Sequence, residues 1–407
     1  MYYFFGDGMI ERISNYFYDF GIKAVDKGHC NRCDGYNTKK DFRGVEYCLD
    51  CFLYKEVNSS MYLIRRIRKT SQKKHELNLG FDLSYLQKTG SNFLVENYSN
   101  GKDSFLQAVC GAGKTEMVLE VIVEALNKGN RIAFVIPRVE IIKQVALRIQ
   151  SYLPYTKVCS LYGGVRFDEA FDLIVLTPQQ LIRFYQEFDL MIIDEVDAFP
   201  FVDNLFLERL VKKSTNEKSL FIYMSATVSF KYKKLIEKNY LAFHMIPRRF
   251  HNQDLAIPIF VQADSYEDIR IIKTIKSLNE TTKSMIVYLP SIKMGKVFKE
   301  YLTGLNISCD LITSETKYKA SVLKDFERGK FKVLISTTIL ERGVTFHNVN
   351  VIVIEAANKV YNEATLIQIA GRVGRSGDEA IVLFFSREKS DAMVKARRKI
   401  VEFNKKK

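Results

Sequence analysis

The sequence predicts an α/β chain of two tandem parallel-sheet domains preceded by a small cysteine-rich module. Three observations carry that expectation. Short apolar runs alternate with amphipathic stretches in two successive series, one from Ser104 to Met224 and one from Ser284 to Phe385. The runs are apolar on both faces, which a parallel sheet covered by helices demands. Two Cys-x2-Cys pairs, Cys30 with Cys33 and Cys48 with Cys51, stand ahead of both series.

Taken in order, residues 1–27 form an aromatic-rich segment without a clear period, 28–54 hold the four cysteines, and 55–80 are basic, with Arg65, Arg66, Arg68, Lys69, Lys73 and Lys74. The first large domain is expected over 81–247. Strands are expected at Ser104–Val109, Arg131–Ile136, Leu173–Leu176, Leu190–Ile193 and Leu220–Met224. A helix is expected over Thr115–Asn127, because Met117, Val118, Val121, Ile122 and Ala125 recur at helical spacing. Gly129 falls where a helix C-cap belongs. The stretch 248–258, with Arg248, Arg249, His251 and Asp254, reads as a linker. The second domain is expected over 259–407, with strands at Met285–Leu289, Ser308–Ile312, Val333–Ser336, Val351–Ile354 and Ala380–Phe385 and a helix at Ala320–Glu327.

The chain has 407 residues and a formal charge of +14. An excess of Lys and Arg favours polyanionic partners, because each phosphate contact releases condensed counterions. No apolar run approaches the roughly 18 residues that span a bilayer, and Met1–Phe5 lacks the basic leader of a secretory signal. A cytoplasmic protein is expected. Seven cysteines, an odd number, argue against a disulfide framework. Cys110, Cys159 and Cys309 read as small buried apolar residues.

Gly111-Ala112-Gly113-Lys114-Thr115 follows an apolar run and opens a helical one. Glycines there let backbone N–H groups close around phosphates at a helix N-terminus. Lys114 would reach the β- and γ-phosphates of ATP, Thr115 would hold Mg²⁺, and Glu116 completes the loop's contact set. Asp194-Glu195-Val196-Asp197 ends the apolar run Leu190–Ile193. Asp194 would hold the Mg²⁺ through water, and Glu195 would polarise the attacking water. Two Cys-x2-Cys pairs separated by fourteen residues fit a four-thiolate Zn²⁺ site with no open position, hence a structural one.

In this order the motifs resemble those of superfamily 2 helicases, from about residue 83 to residue 376. The resemblance implies two RecA-like domains and adds further roles. Gln87, within Leu83-Ser84-Tyr85-Leu86-Gln87, looks like the adenine-reading glutamine. Arg138 and Thr177 resemble contacts of the first domain to a nucleic-acid backbone, and Thr337 those of the second. Ser225 and Thr227 resemble the Ser-Ala-Thr motif that couples hydrolysis to domain movement. Gly343 resembles a nucleotide contact of motif five. Arg372 and Arg375 resemble the arginine fingers that stabilise charge on the γ-phosphate in the transition state. Two departures stand out: Ala108 occupies the first glycine position of the strict phosphate-loop pattern, and Thr345 stands where motif five often has Asp.

A four-cysteine module ahead of a single two-domain motor resembles the late competence protein ComFA family of Gram-positive bacteria. The phrasing Ala108-Val109-Cys110-Gly111-Ala112-Gly113-Lys114-Thr115-Glu116-Met117 and Asp194-Glu195-Val196-Asp197-Ala198-Phe199-Pro200 supports it. That resemblance implies a single-stranded-DNA-stimulated ATPase beside the membrane DNA-uptake machinery, with ComFC-like and DprA-like competence proteins as partners. A replication-restart helicase of the PriA type is the nearest alternative, although such proteins carry their zinc cysteines within the second motor domain. A non-enzymatic, zinc-containing DNA-binding scaffold is the alternative of another class.

Overall fold

The computed structural model describes residues 2–3, 21–64, 66–67, 73–165, 170–197, 200–201, 204–281, 283–340, 346, 348–374 and 380–406. Most of the aromatic segment 1–27 lies outside that set, as do Arg65 and Arg68 of the basic segment. Two compact units emerge, residues 1–107 with 114–245, and residues 108–113 with 246–407. Each contains a parallel sheet of the RecA-like kind.

The first sheet has seven strands: β1 (Ser104–Ala108), β2 (Ile132–Val135), β3 (Val158–Leu161), β4 (Leu173–Leu176), β5 (Phe188–Asp194), β6 (Thr215–Ser225) and β7 (Ala242–Ile246). Their spatial order is β3-β4-β2-β5-β6-β1-β7, and the pairs from β3 through to β1 are parallel. β1, β2 and β4 are buried at every residue, as continuous apolar runs require. Helices cover the sheet: α1 (Tyr85–Ser99), α2 (Lys114–Met117), α3 (Leu119–Asn127), α4 (Val139–Tyr152), α5 (Leu205–Ser214) and α6 (Phe230–Glu237). The helix expected over Thr115–Asn127 thus forms in two pieces that meet at Val118. Gly129 caps it in the left-handed region, at φ +77°.

The second sheet is parallel throughout. Its strands are β8 (Ile259–Gln262), β9 (Ser284–Tyr288), β10 (Cys309–Ile312), β11 (Val333–Ser336), β12 (Val349–Ile354) and β13 (Val382–Ser386), in the order β8-β13-β12-β9-β11-β10. Helices α7 (Ile269–Asn279), α8 (Ile292–Gly304), α9 (Lys319–Glu327), α10 (Glu363–Ala370) and α11 (Asp391–Lys405) join them. Side-chain oxygens of Asp268, Ser291, Asn362 and Ser390 cap four of these helices at the N-terminus. The stretch expected to be a linker is tied to this unit. Arg248 donates to the carbonyls of Asn404 and Lys406 beyond the end of β13, and the Leu255 N–H donates to Asn404.

The cysteine module is larger than residues 28–54. Gly21–Lys23 pairs antiparallel with Tyr62–Ile64, and Thr38–Lys40 with Glu46–Cys48. Four cysteines reveal the knuckles of such a module but not the short strands that close it. The module packs on α5. Asp50 pairs with Arg209, the Lys213 ammonium donates to the Asn31 carbonyl, and Tyr54 stacks on Phe206 with ring centroids 5.4 Å apart. A single apolar cluster runs from the four cysteines through Leu207 and Leu210 to Phe184 and Phe188 beneath the sheet.

At the N-terminal edge of the first sheet, Arg131 before β2 and Glu187 before β5 form a buried ion pair. Removing one partner strands the other charge, which typically costs about 3–5 kcal/mol. Glu187→Leu is therefore expected to lower stability by about that much. The double variant Arg131→Met/Glu187→Leu should recover most of the loss. Urea unfolding of the three proteins checks both.

Candidate nucleotide site and cysteine cluster

Parallel pairing sets the geometry of the site. In register, Asp194 at the end of β5 lies opposite Met224 of β6, and Ser225 lies opposite Gln107 of β1. The C-terminal ends of three adjacent strands therefore carry the acidic box, the Ser-Ala-Thr run and the glycine loop. The crevice beyond the carboxyl ends of the strands is where open α/β sheets bind ligands.

Gly111 and Gly113 hold φ of +83° and +81°, a region closed to side chains without strain. Their backbone N–H groups can line an anion cradle that runs into the N-terminus of the helix pieces α2 and α3. The Lys114 Nζ lies 2.9 Å from the Asp194 Oδ1, with both side chains largely buried. An ammonium and a carboxylate held together in this way can separate to grip a phosphate and a hydrated Mg²⁺ respectively. Thr115 follows directly, with its hydroxyl as a further oxygen donor. That donor set fits a magnesium nucleotide.

Glu195 adopts φ +53°, rare for a residue with a side chain. Such strain persists only where surrounding contacts hold it. The Asp194 carboxylate accepts from the Glu195 N–H at 2.8 Å, and the Arg138 Nε lies 3.9 Å from the Glu195 Oε2. Arg138 thus points toward the acidic box. Asp197 accepts from the Thr227 hydroxyl at 2.5 Å, and the Thr227 N–H donates to Ser225 Oγ. The Gln107 side chain donates to the Ala226 carbonyl. The acidic box, the Ser-Ala-Thr run and β1 are therefore joined by direct hydrogen bonds.

Other expected site residues fall as follows. Gln87 sits at the N-terminus of α1, where its Oε1 accepts from the Ser84 N–H in a capping box. Glu116 is buried, with one carboxylate oxygen 2.8 Å from Arg148 of α4. Thr177 is buried at the end of β4, and Thr337 follows β11 in the second unit. Arg372 is buried just past α10. Arg375 and Gly343 lie outside the described residues. One residue was missed: Arg249, read from sequence as part of a linker, is 1% exposed and donates to the carbonyls of Gly371 and Gly374. It holds the turn that carries Arg372. Nothing in the spacing of Arg248 and Arg249 separates the fully buried one from the half-buried one.

The sulfurs of Cys30, Cys33, Cys48 and Cys51 lie within 4.8 Å of one another, all buried. Cys30 and Cys51 approach to 3.8 Å, and Cys33 and Cys48 to 3.6 Å. Four thiolates around a tetrahedral zinc at about 2.3 Å would stand at this spacing. Hydrogen bonds from Cys33 first, then from Cys48 and Cys51, hold the Cys30 thiol far below its ordinary value, while the same crowding, led by Cys30, drives Cys51 far above. All four could be thiolates together only around a cation, and the sulfur spacing fits one.

Residues 92–235 match the DEAD/DEAH box helicase family, and residues 268–377 match the helicase conserved C-terminal domain. The chain is 33% identical to the competence protein ComFA of Streptococcus pneumoniae, over 94% of this chain and 92% of that protein. It is 31% identical to the competence protein ComFA of Bacillus subtilis, over 92% and 85% respectively. Among solved structures, S. cerevisiae Dbp5 bound to RNA and ADP BeF3 aligns with a TM-score of 0.63 at 18% identity, over 80% of this chain and 88% of that one. At that identity the likeness speaks for the fold.

Two outcomes follow from this geometry. Thr227→Val removes the bond to Asp197 and is expected to slow ATP turnover about tenfold, the equivalent of one lost charge-assisted hydrogen bond of roughly 1.5 kcal/mol. Half-saturation by ATP should change little in steady-state kinetics. Metal bound by the four cysteines should be released as pH falls, because protons compete for the thiolates. Stability contributed by the metal is then present near neutrality and lost on acidification. A chromophoric chelator assay of zinc release against pH, read alongside thermal unfolding, checks the sign.

Proposed function

Since the chain belongs to the competence protein ComFA family, an ATP-dependent helicase-like motor of competence, we propose that it is a single-stranded-DNA translocase whose ATP hydrolysis is stimulated by DNA. The observation that carries this reading is the Lys114–Asp194 pair beyond the C-terminal ends of β1 and β5, the two strands that flank β6, with Asp197 of the same acidic box bonded to Thr227. A nucleotide that pulls Lys114 and Asp194 apart acts on the same acidic box that Thr227 grips. On this reading Lys114 and the loop 111–113 hold the phosphates, Thr115 and Asp194 hold Mg²⁺, and Glu195 orients the attacking water. Arg372, with Arg375, neutralises charge on the transferring phosphoryl group. The four cysteines hold a structural Zn²⁺ that closes the module.

A charge of +14 supports a polyanionic partner. No helix among the described residues is long and apolar enough to cross a membrane. The same reading places the protein in the cytoplasm, at the inner face of the membrane beside the DNA-uptake machinery and ComFC-like and DprA-like proteins.

The test is ATP hydrolysis measured without nucleic acid and with single-stranded DNA, duplex DNA or RNA. Stimulation by single-stranded DNA above the other three is expected. A rate indifferent to single-stranded DNA removes the proposal. Lys114→Ala should abolish turnover and keep DNA binding, and retained turnover would move the catalytic site elsewhere.

A further inference from the structure

Within the first unit, the cysteine module and the C-terminal edge of the sheet enclose a groove of about 490 Å³. One wall is the module's turn at Tyr54 and Lys55, with Arg32 behind it. The other is built from Thr177, Gln179 and Arg183, which follow β4, together with the residues flanking Arg138. Among the described residues, three cationic side chains line the groove and no carboxylate does. In a groove with that lining, a chain of phosphates meets positive charge and hydrogen-bond donors.

The turn is held in an unusual state. Lys55 has φ +90° and ψ 128°, outside the regions that side-chain-bearing residues favour. Arg32 fixes it: the Nη1 donates to the Lys55 carbonyl and the Nη2 to the Tyr54 carbonyl, each at 2.8 Å. Arg32 is 7% exposed and lies between Cys30 and Cys33 in sequence. The cysteine knuckle thus sets the position of a lysine on the groove wall. The same two bonds that close the turn within the module also fix where that lysine stands on the groove wall.

We propose that this groove is a segment of the DNA track, in which Lys55 and Arg183 contact phosphates of a single strand and Arg32 is the positioning residue that presents Lys55. The inference rests on the single-stranded-DNA reading above and adds the cysteine module to the binding surface. Thr177 and Gln179 supply neutral contacts to the same backbone, which carry no sequence information.

The experiment is fluorescence anisotropy of labelled oligo(dT) with the full chain at several salt concentrations. Lys55→Ala should weaken binding several-fold and reduce the slope of log K against log salt by about 0.7, the value for one lost phosphate contact on a single strand. Lys55→Glu should weaken it further. Arg32→Lys keeps the charge but loses the two-nitrogen fork that meets the two carbonyls separately, and it should weaken binding as Lys55→Ala does while zinc content stays at one ion per chain. Lys40→Ala, on an exposed module strand away from the groove, serves as the control and should leave affinity and slope unchanged.

Equal losses in Lys40→Ala and Lys55→Ala would show diffuse attraction and overturn the groove. Unchanged affinity and slope in both Lys55 variants would overturn it too, with the parent protein still binding oligo(dT). A parent protein that does not bind oligo(dT) at all refutes the single-stranded-DNA reading itself, a separable result.

Discussion

Register between parallel strands is the constraint on which the rest of this structure depends. β5, β6 and β1 lie side by side and run the same way, so the residues that leave their C-terminal ends emerge at one edge. A slip of one residue would turn every side chain of a strand to the opposite face. Asp194, Ser225 and the glycine loop converge because apolar runs buried on both faces fix the alignment upstream of them. The buried ion pair of Arg131 and Glu187 sits at the other edge, away from the chemistry.

Much of this was legible in the sequence, for identifiable reasons. Strands such as Leu173–Leu176 and Val333–Ser336 appear with the expected bounds because a fully buried parallel strand reads as a short, nearly continuous apolar run. Phosphate-loop glycines are legible because a left-handed backbone tolerates little else. β3, β7 and β8 were not anticipated. Each mixes exposed or half-buried residues into its run, as strands at or near a sheet edge do. Arg32, Arg249 and the groove were illegible for a different reason: all three depend on contacts between residues distant in sequence. Arg249 reaches Gly371 and Gly374, and Arg32 closes a turn 22 and 23 residues away. Spacing rules have no access to such pairs.

The module illustrates how a small element acquires rigidity. Its strands are two or three residues long and cannot stand alone. Packing on α5 supplies part of what its own core lacks, and a metal held by the four cysteines, on the proposed assignment, would supply the rest. The apolar cluster that reaches from the cysteines to Phe184 and Phe188 makes module and sheet one mechanical body. Whatever the turn at Lys55 grips, it grips in a fixed relation to Thr177.

The Lys114–Asp194 contact has a consequence for what can enter the site. Taken together, the two side chains are a neutral dipole in a poorly hydrated place. A bare triphosphate that captured Lys114 would leave Asp194 facing added negative charge. A bare divalent cation that captured Asp194 would leave Lys114 facing added positive charge. Only when anion and cation arrive together does each side chain exchange one counter-ion for another, with the local charge balance preserved. On the proposed assignment the two ligands are thermodynamically linked through a single ion pair. The resting pair is thus self-neutralised, and it admits its fuel as a salt.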